Sequence, residues 1–522
     1  MASRDRSTEV GRTPSDTTGT DGRAPNPEPG LLLIQIDGLS APDLDSARSR
    51  GLVPALDGLV RAGHRLSEWS CGLPSDTLAV QASLFWGACP PAPSFAWWDR
   101  DSRRSRLAAS ASAVASFEHA FEAGYGPGLL RGGGCHAGAI GGGAAGGVLV
   151  PPAGRRTWGA MVRESIHAAS ESLADRWPNP DCLRETRRRG RFTEGVAPPL
   201  SRLRRLGAFA VATTGRASGH VVAAGAREDV TAGRPVIFAN LVEYDLVAHV
   251  AGPRSTRALD ALASTDDHIN SILRGVEASA RPYRVVILSD HGVAPAVPAP
   301  AAFLPDPRAW VHDEWQRRRR ANSGGDLVVA ASGTVLQAWV ASSHVRLGLQ
   351  DLSRRAPGFV EAITRHPAVQ ATIVADSLAQ GAGSSYVVFG RSGGVRFGRQ
   401  CCPSHAVQCG HDAPLVVVDR WGDSPLRTIG PPEEVEAHLN AFAARPDIGD
   451  VTCLASPARG RSASTTFGDV WAFEVQFGAH GGVGGVQTQA FILWPPESPV
   501  APDVSGGAQA LHEWLEVLAP HR

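Results

Sequence analysis

Two apolar runs, far apart in the chain, each stop abruptly at side chains that bind metals. Leu31-Leu-Leu-Ile-Gln-Ile runs into Asp37-Gly38, and Val285-Val-Ile-Leu-Ser runs into Asp290-His291-Gly292. An apolar segment of this length with such a stop reads as a strand buried on both faces, the pattern of a parallel sheet covered by helices. In open α/β sheets, ligands bind beyond the carboxyl ends of the strands. If these two strands are neighbours, Asp37, Asp290 and His291 converge on one point.

Further segments carry residues of the same kind. The strand-like run Pro235-Val-Ile-Phe-Ala-Asn-Leu241 leads into Glu243-Tyr-Asp245-Leu-Val-Ala-His249. Asp245 and His249 are four residues apart, so one helical turn puts both on one face, a spacing suited to two ligands of a single ion. His480 lies in Phe477-Gly-Ala-His480-Gly-Gly482, where glycines permit close backbone approach. Pro74-Ser75-Asp76 is a helix-start signature in which Ser75 or Asp76 can cap the run that begins at Thr77. Thr77 would then occupy the first turn, where free N–H groups and the helix dipole favour an anion.

Composition narrows the function classes. Lys+Arg and Asp+Glu balance at 51 each, which argues against a nucleic-acid or polyanion binder. No lysine occurs anywhere, which excludes Schiff-base lysine chemistry and a P-loop lysine. With 43% hydrophobic and 20% charged residues, most of the chain is expected to be globular. Residues 1–29 are polar, read as a disordered tail, and contain no signal-peptide core. No apolar stretch is long enough to span a bilayer, so a cytoplasmic location is expected.

The order and spacing of these segments resemble the alkaline phosphatase superfamily, and within it the type I phosphodiesterase / nucleotide pyrophosphatase branch. That branch carries a Pro-(Ser/Thr)-x-Thr nucleophile segment with a glycine ten residues on, as Pro74-Ser75-Asp76-Thr77 and Gly87 do here. The resemblance implies two zinc ions, or other divalent metals. Asp245, His249 and His480 would hold the first, and Asp37, Asp290 and His291 the second. Thr77 would bridge the second ion and the substrate, and act as the nucleophile. Imidazole and carboxylate suit zinc, and each set leaves an open coordination position. The implied substrate is a small phosphodiester or pyrophosphate. A phosphomonoesterase on the same fold and a non-catalytic metal-binding relative are the alternatives.

The chain departs from the branch at Val80, where an asparagine often contacts a phosphoryl oxygen. Support for that oxygen is then expected from the Thr77 or Leu78 N–H, or from an arginine that the sequence does not single out. Sulfatase chemistry does not fit, because Thr77-Leu-Ala-Val-Gln81 lacks the C/S-x-P-x-R pattern.

The expected architecture is α/β: a mostly parallel central sheet flanked by helices, alkaline phosphatase-like, with an inserted subdomain. Its first part covers residues 30–300, with an insertion at about 100–210. The inserted subdomain covers 301–450, and residues 451–522 return to the core. Phe209-Ala-Val-Ala-Thr213 reads as a further core strand. The glycine-dense stretch Gly132 to Gly147 has no GK[ST] and reads as a mobile loop. Arg187-Arg-Arg-Gly-Arg191 belongs to a basic stretch read as a solvated helical face. Cys401-Cys402-Pro-Ser-His405-Ala-Val-Gln-Cys409-Gly-His411 holds zinc-ligand residue types but lacks paired ligand ends, so ordinary loop cysteines are expected.

Overall fold

The computed structural model describes residues 28–108, 110–149, 198–320, 325–377, 385–399, 415–458 and 470–520. The polar tail (except residues 28 and 29), the arginine run at 187–191 and the cysteine-histidine cluster at 401–411 lie outside the described residues.

A six-stranded sheet organises the fold. Its strands, in chain order, are β1 (Gly30–Ile36), β2 (Arg65–Ser70), β3 (Gly134–His136), β4 (Val236–Leu241), β5 (Tyr283–Leu288) and β6 (Gln489–Trp494). They lie side by side in the order β2-β6-β5-β1-β4-β3. β1 runs parallel to both β4 and β5, and β3 is parallel to β4. β6 is antiparallel to both its neighbours, β2 and β5. The sheet is therefore mainly parallel, and all seven residues of β1 are buried.

Burial on both faces follows from strand alternation. Leu31 and Leu33 point to one side, packing with α3 (Thr77–Trp86), α4 (Ala111–Tyr125) and α8 (Gly507–Leu518). Leu32, Ile34 and Ile36 point to the other. There they meet α1 (Ala41–Ser49), α2 (Pro54–Arg61), α5 (Pro198–Thr231), α6 (Glu243–Ala251) and α7 (Thr256–Glu277). Each leucine or isoleucine so enclosed contributes roughly 1.5–3 kcal/mol of burial. The sheet is thus held between two helical layers.

The chain between β5 and β6 builds a second, seven-stranded sheet whose paired strands are all antiparallel. Its strands fall between Leu327 and Ala455, with Val451–Ala455 at an inner position. Among the described residues no helix is long and apolar enough to cross a membrane.

Two sequence expectations are corrected. Residues 209–213 belong to the long helix α5 and not to a strand. Four apolar residues and a threonine cannot by themselves separate strand from helix, and the alternating alanines favour helix. The glycine-dense stretch is not a loop throughout: residues 133–142 are buried and include β3.

Candidate active site

The carboxyl ends of β1, β4 and β5 deliver the polar residues to one place. Asp37 is the first residue beyond β1, and its N–H donates to Leu241 O at the end of β4. On β5 the chain continues through Ser289 into Asp290 and His291, all fully buried. The N–H groups of Gly38 and His291 both donate to Asp290 Oδ1, at 3.1 and 3.0 Å. Gly38 has φ +75°, and a Cβ there would sit 2.6 Å from Asp245 Oδ1. Only glycine allows α6 this close.

His291 Nε2 lies 3.4 Å from Asp290 Oδ2, 3.8 Å from Asp37 Oδ1 and 3.3 Å from Thr77 Oγ1. Thr77 opens α3 and donates to Asp37 Oδ1 at 3.4 Å. On α6, Asp245 Oδ2 and His249 Nε2 are 3.4 Å apart, as their four-residue spacing requires. His480 follows the short strand Gly478–Ala479, and its ring stacks on His291 with centroids 3.9 Å apart. All of the sequence-predicted residues thus meet in one buried cluster. Ligand-type atoms of Asp37, Asp290 and His291 lie within 4.8 Å of one another, as do those of Asp245, His291 and His480. His291 belongs to both groups, while His249 joins through Asp245 and His480.

The tautomers in this cluster are dictated by its backbone. His249 Nδ1 is 2.8 Å from Gly478 O, and His480 Nδ1 is 2.7 Å from Ser75 O. A carbonyl can only accept, so each Nδ1 carries the proton, and in a neutral ring each Nε2 presents a lone pair. Those two Nε2 atoms face each other at 3.2 Å. Two lone pairs at that separation repel unless a cation lies between them. Asp245 Oδ1 and Asp290 Oδ2 are also buried, and neither accepts a hydrogen bond. Imidazole lone pairs fixed by backbone carbonyls, together with unpartnered carboxylate oxygens, fit divalent metal ions.

The electrostatics agree. Burial, then the Asp37 and Asp245 charges, push the Asp290 carboxyl well above the ordinary range. Burial opposes the charge of Asp245, but His249 and the other two imidazoles outweigh it and hold that carboxyl below its usual value. For His249, burial is outweighed by Asp245, and the ring is raised to about 9. Burial, together with its histidine neighbours, lowers His480 to about 3. The cluster crowds like charges in a buried space, and bound cations would relieve that crowding.

The bracing roles of some residues escaped the sequence reading, Ser75 among them, since Asp76 and not Ser75 caps α3. Ser75 Oγ donates to Gly482 O at 2.8 Å and accepts from the Gly481 N–H at 2.9 Å, pinning the His480 turn to the Thr77 segment. Asn240 donates to Asp37 Oδ2 at 2.9 Å. Its signal was a polar residue inside the apolar strand β4. Thr334 N donates to His480 O at 3.0 Å, so a turn of the second sheet also braces the site. One expectation changes: the Leu78 N–H, a candidate support for a phosphoryl oxygen, donates to the Asp76 cap at 3.1 Å. Val80 is 2% exposed and packs in the core, so its side chain does not take the asparagine's role.

The profile of the family described as type I phosphodiesterase / nucleotide pyrophosphatase matches residues 31–362. A search of curated proteins returned no match. Among solved structures, the chain is similar to phosphonoacetate hydrolase from Sinorhizobium meliloti 1021 in complex with phosphonoacetate. That likeness has 13% identity and a TM-score of 0.48, and covers 96% of this chain and 98% of that one. It is also similar to murine ectonucleotide pyrophosphatase / phosphodiesterase 5, an inactive form in complex with AMP. There the identity is 9% and the TM-score 0.45, with 95% of this chain and 97% of that chain covered.

Proposed function

Because this chain belongs to the type I phosphodiesterase / nucleotide pyrophosphatase family, and is thereby a phosphoryl-transfer hydrolase, we propose that it cleaves small phosphodiesters or pyrophosphates with Thr77 as nucleophile. Asp245, His249 and His480 would hold one zinc ion, and Asp37, Asp290 and His291 a second. Bound ions would lower the pKa of the threonine hydroxyl and neutralise charge on the phosphoryl oxygens.

The observation that carries this reading is the place of Thr77 Oγ1. It heads a helix, 3.4 Å from Asp37 Oδ1 and 3.3 Å from His291 Nε2. A hydroxyl held there meets phosphorus beside the helix N-terminus, where the dipole favours the incoming anion. Asp37 accepts the hydroxyl hydrogen bond and so aims Oγ1. The Thr77 N–H is left to donate to a phosphoryl oxygen. Attack forms a phospho-threonine and expels the leaving group, and water then cleaves the adduct to restore the hydroxyl. The second-sheet turn and Ser75 keep His480 in place through both steps.

The test compares bis-p-nitrophenyl phosphate with p-nitrophenyl phosphate, with zinc measured on the same sample. Faster diester cleavage with near two zinc per chain, lost in Thr77→Ala, supports the proposal. Monoester preference would make the protein a phosphatase. Zinc without turnover of either ester would favour a non-catalytic relative.

A further inference from the structure

Behind Thr77 and Asp37, the contact between α3 and the sheet is polar where a helix-sheet interface is ordinarily apolar. Gln35, Gln81 and Asn240 are all fully buried. Gln35 is two residues before Asp37 and shares its face of β1. It pairs directly with Asn240 on β4. Gln81 is four residues after Thr77 and shares its face of α3. Four helical residues advance about 6 Å and two strand residues about 6.6 Å, so the two repeats match. Thr77 meets Asp37 at 3.4 Å, and one rung deeper Gln81 Nε2 donates to Gln35 Oε1 at 3.3 Å.

The outer ends of these amides grip one loop. Asn240 Nδ2 donates to Asp37 Oδ2 at 2.9 Å and to Ala137 O at 3.3 Å. Both partners are acceptors, so the nitrogen's place in this amide is determined. Two residues on, the Ala139 N–H donates to Gln81 Oε1 at 2.7 Å. Ala137 has φ +53°, a left-handed conformation costing an L-residue roughly 1–2 kcal/mol. The loop keeps that shape while presenting one carbonyl and one N–H to the two amides.

We propose that Asn240 and Gln81 are positioning residues that lock Asp37 and Thr77 to each other through the 137–139 loop. Asn240 occupies Asp37 Oδ2 and so directs Oδ1 towards Thr77 and His291. Gln81 sets the depth of α3 against β1, and with it the reach of Thr77 Oγ1. This inference rests on the reading of Asp37 as a metal ligand and Thr77 as the nucleophile. If the amides served stability alone, apolar residues of similar volume would do as well.

The experiment titrates metal-free wild type, Asn240→Leu and Gln81→Leu with Zn²⁺ against a chromophoric chelator, and measures diester kinetics on the same proteins. In Asn240→Leu, one ion is expected to bind about 10–100-fold more weakly while the other is unchanged. In Gln81→Leu, both ions are expected at wild-type affinity, with kcat lowered about 10–100-fold and KM nearly unchanged. Should a leucine variant not fold, Asn240→Ser and Gln81→Met carry the same comparison. Wild-type zinc affinity in the Asn240 variant overturns the proposal. So does a Gln81 variant with unchanged kcat, or one that loses metal and kcat together. Wild type that binds two zinc ions without diester turnover sinks the proposed activity, and the Asn240 arm still decides its share of this inference. Wild type that binds no zinc overturns both.

Discussion

His249 and His480 meet Nε2 to Nε2 at 3.2 Å, while each ring donates its Nδ1 proton to a main-chain carbonyl. Without metal, a proton on His249 Nε2, 3.4 Å from Asp245 Oδ2, would relieve the two lone pairs, in keeping with the raised pKa of His249, about 9. His480, lowered to about 3, is neutral and has no second proton to give.

A metal ion bound at His249 Nε2 would then displace that proton. Below pH 9 that proton competes with the ion, so zinc affinity rises with pH and levels off above about 9. Asp290, whose carboxyl is pushed upward by burial and by Asp37, adds a second source of released protons. Titration calorimetry at pH 7 in buffers of different ionisation enthalpy should report on the order of one to two protons released per chain. In the metal-free protein the sign for stability is opposite. A raised histidine pKa stabilises fully below the unfolded value of 6.5, and that contribution fades as pH rises through about 9. Zinc affinity that is flat between pH 6 and 9 would contradict this.

Restoring the family's asparagine at position 80 should fail. Val80 is enclosed by the apolar cluster on the α3 side of the sheet. Val80→Asn would bury an amide without partners, at a cost of about 1–3 kcal/mol. Denaturation should show that loss with no gain in kcat, and a faster enzyme would refute the placement of Val80.

Ser75 links two segments that both touch the candidate metal cluster. Ser75→Ala removes the bond to Gly482 O and one of those to the Gly481 N–H. The expected loss is about 1–3 kcal/mol of stability, with weaker zinc binding at the site holding His480. Chemical denaturation and chelator competition on one sample measure both.

Gly38→Ala tests the close approach of α6. The new methyl would lie 2.6 Å from Asp245 Oδ1 at a φ of +75°. Strain of roughly 1–2 kcal/mol is expected. Asp245 must also move, so zinc content should fall together with stability. Unchanged zinc affinity would show that the carboxylate has room.

Much of the candidate site was legible because several of its residues lie just beyond apolar runs. Asp37, Asp245, Asp290 and His291 all follow buried strands, and a charged residue at such a stop stands out in one sequence. The Asp245–His249 spacing was legible for a similar reason, since helix geometry alone relates them. The bracing residues were not. Ser75 acts on Gly482 and Asn240 on Asp37, pairs brought together only by the fold. Gln35 and Asn240 look like stray polar residues until strand register sets them opposite each other. The run at 209–213 misled because four apolar residues and a threonine carry no clear period, and alanine suits the helix that forms there. The glycine-dense stretch misled because glycine signals close packing as often as freedom. Here Gly133 lies against Val236 O so tightly that no Cβ fits.

The most direct measurement is mass spectrometry of the Thr77 peptide from protein quenched during turnover of a phosphodiester with zinc present. A phosphoryl adduct on Thr77 is expected to accumulate and then decay, and to be absent from Thr77→Ala along with all turnover. Sustained hydrolysis by Thr77→Ala, with no adduct on the wild-type peptide, would contradict it.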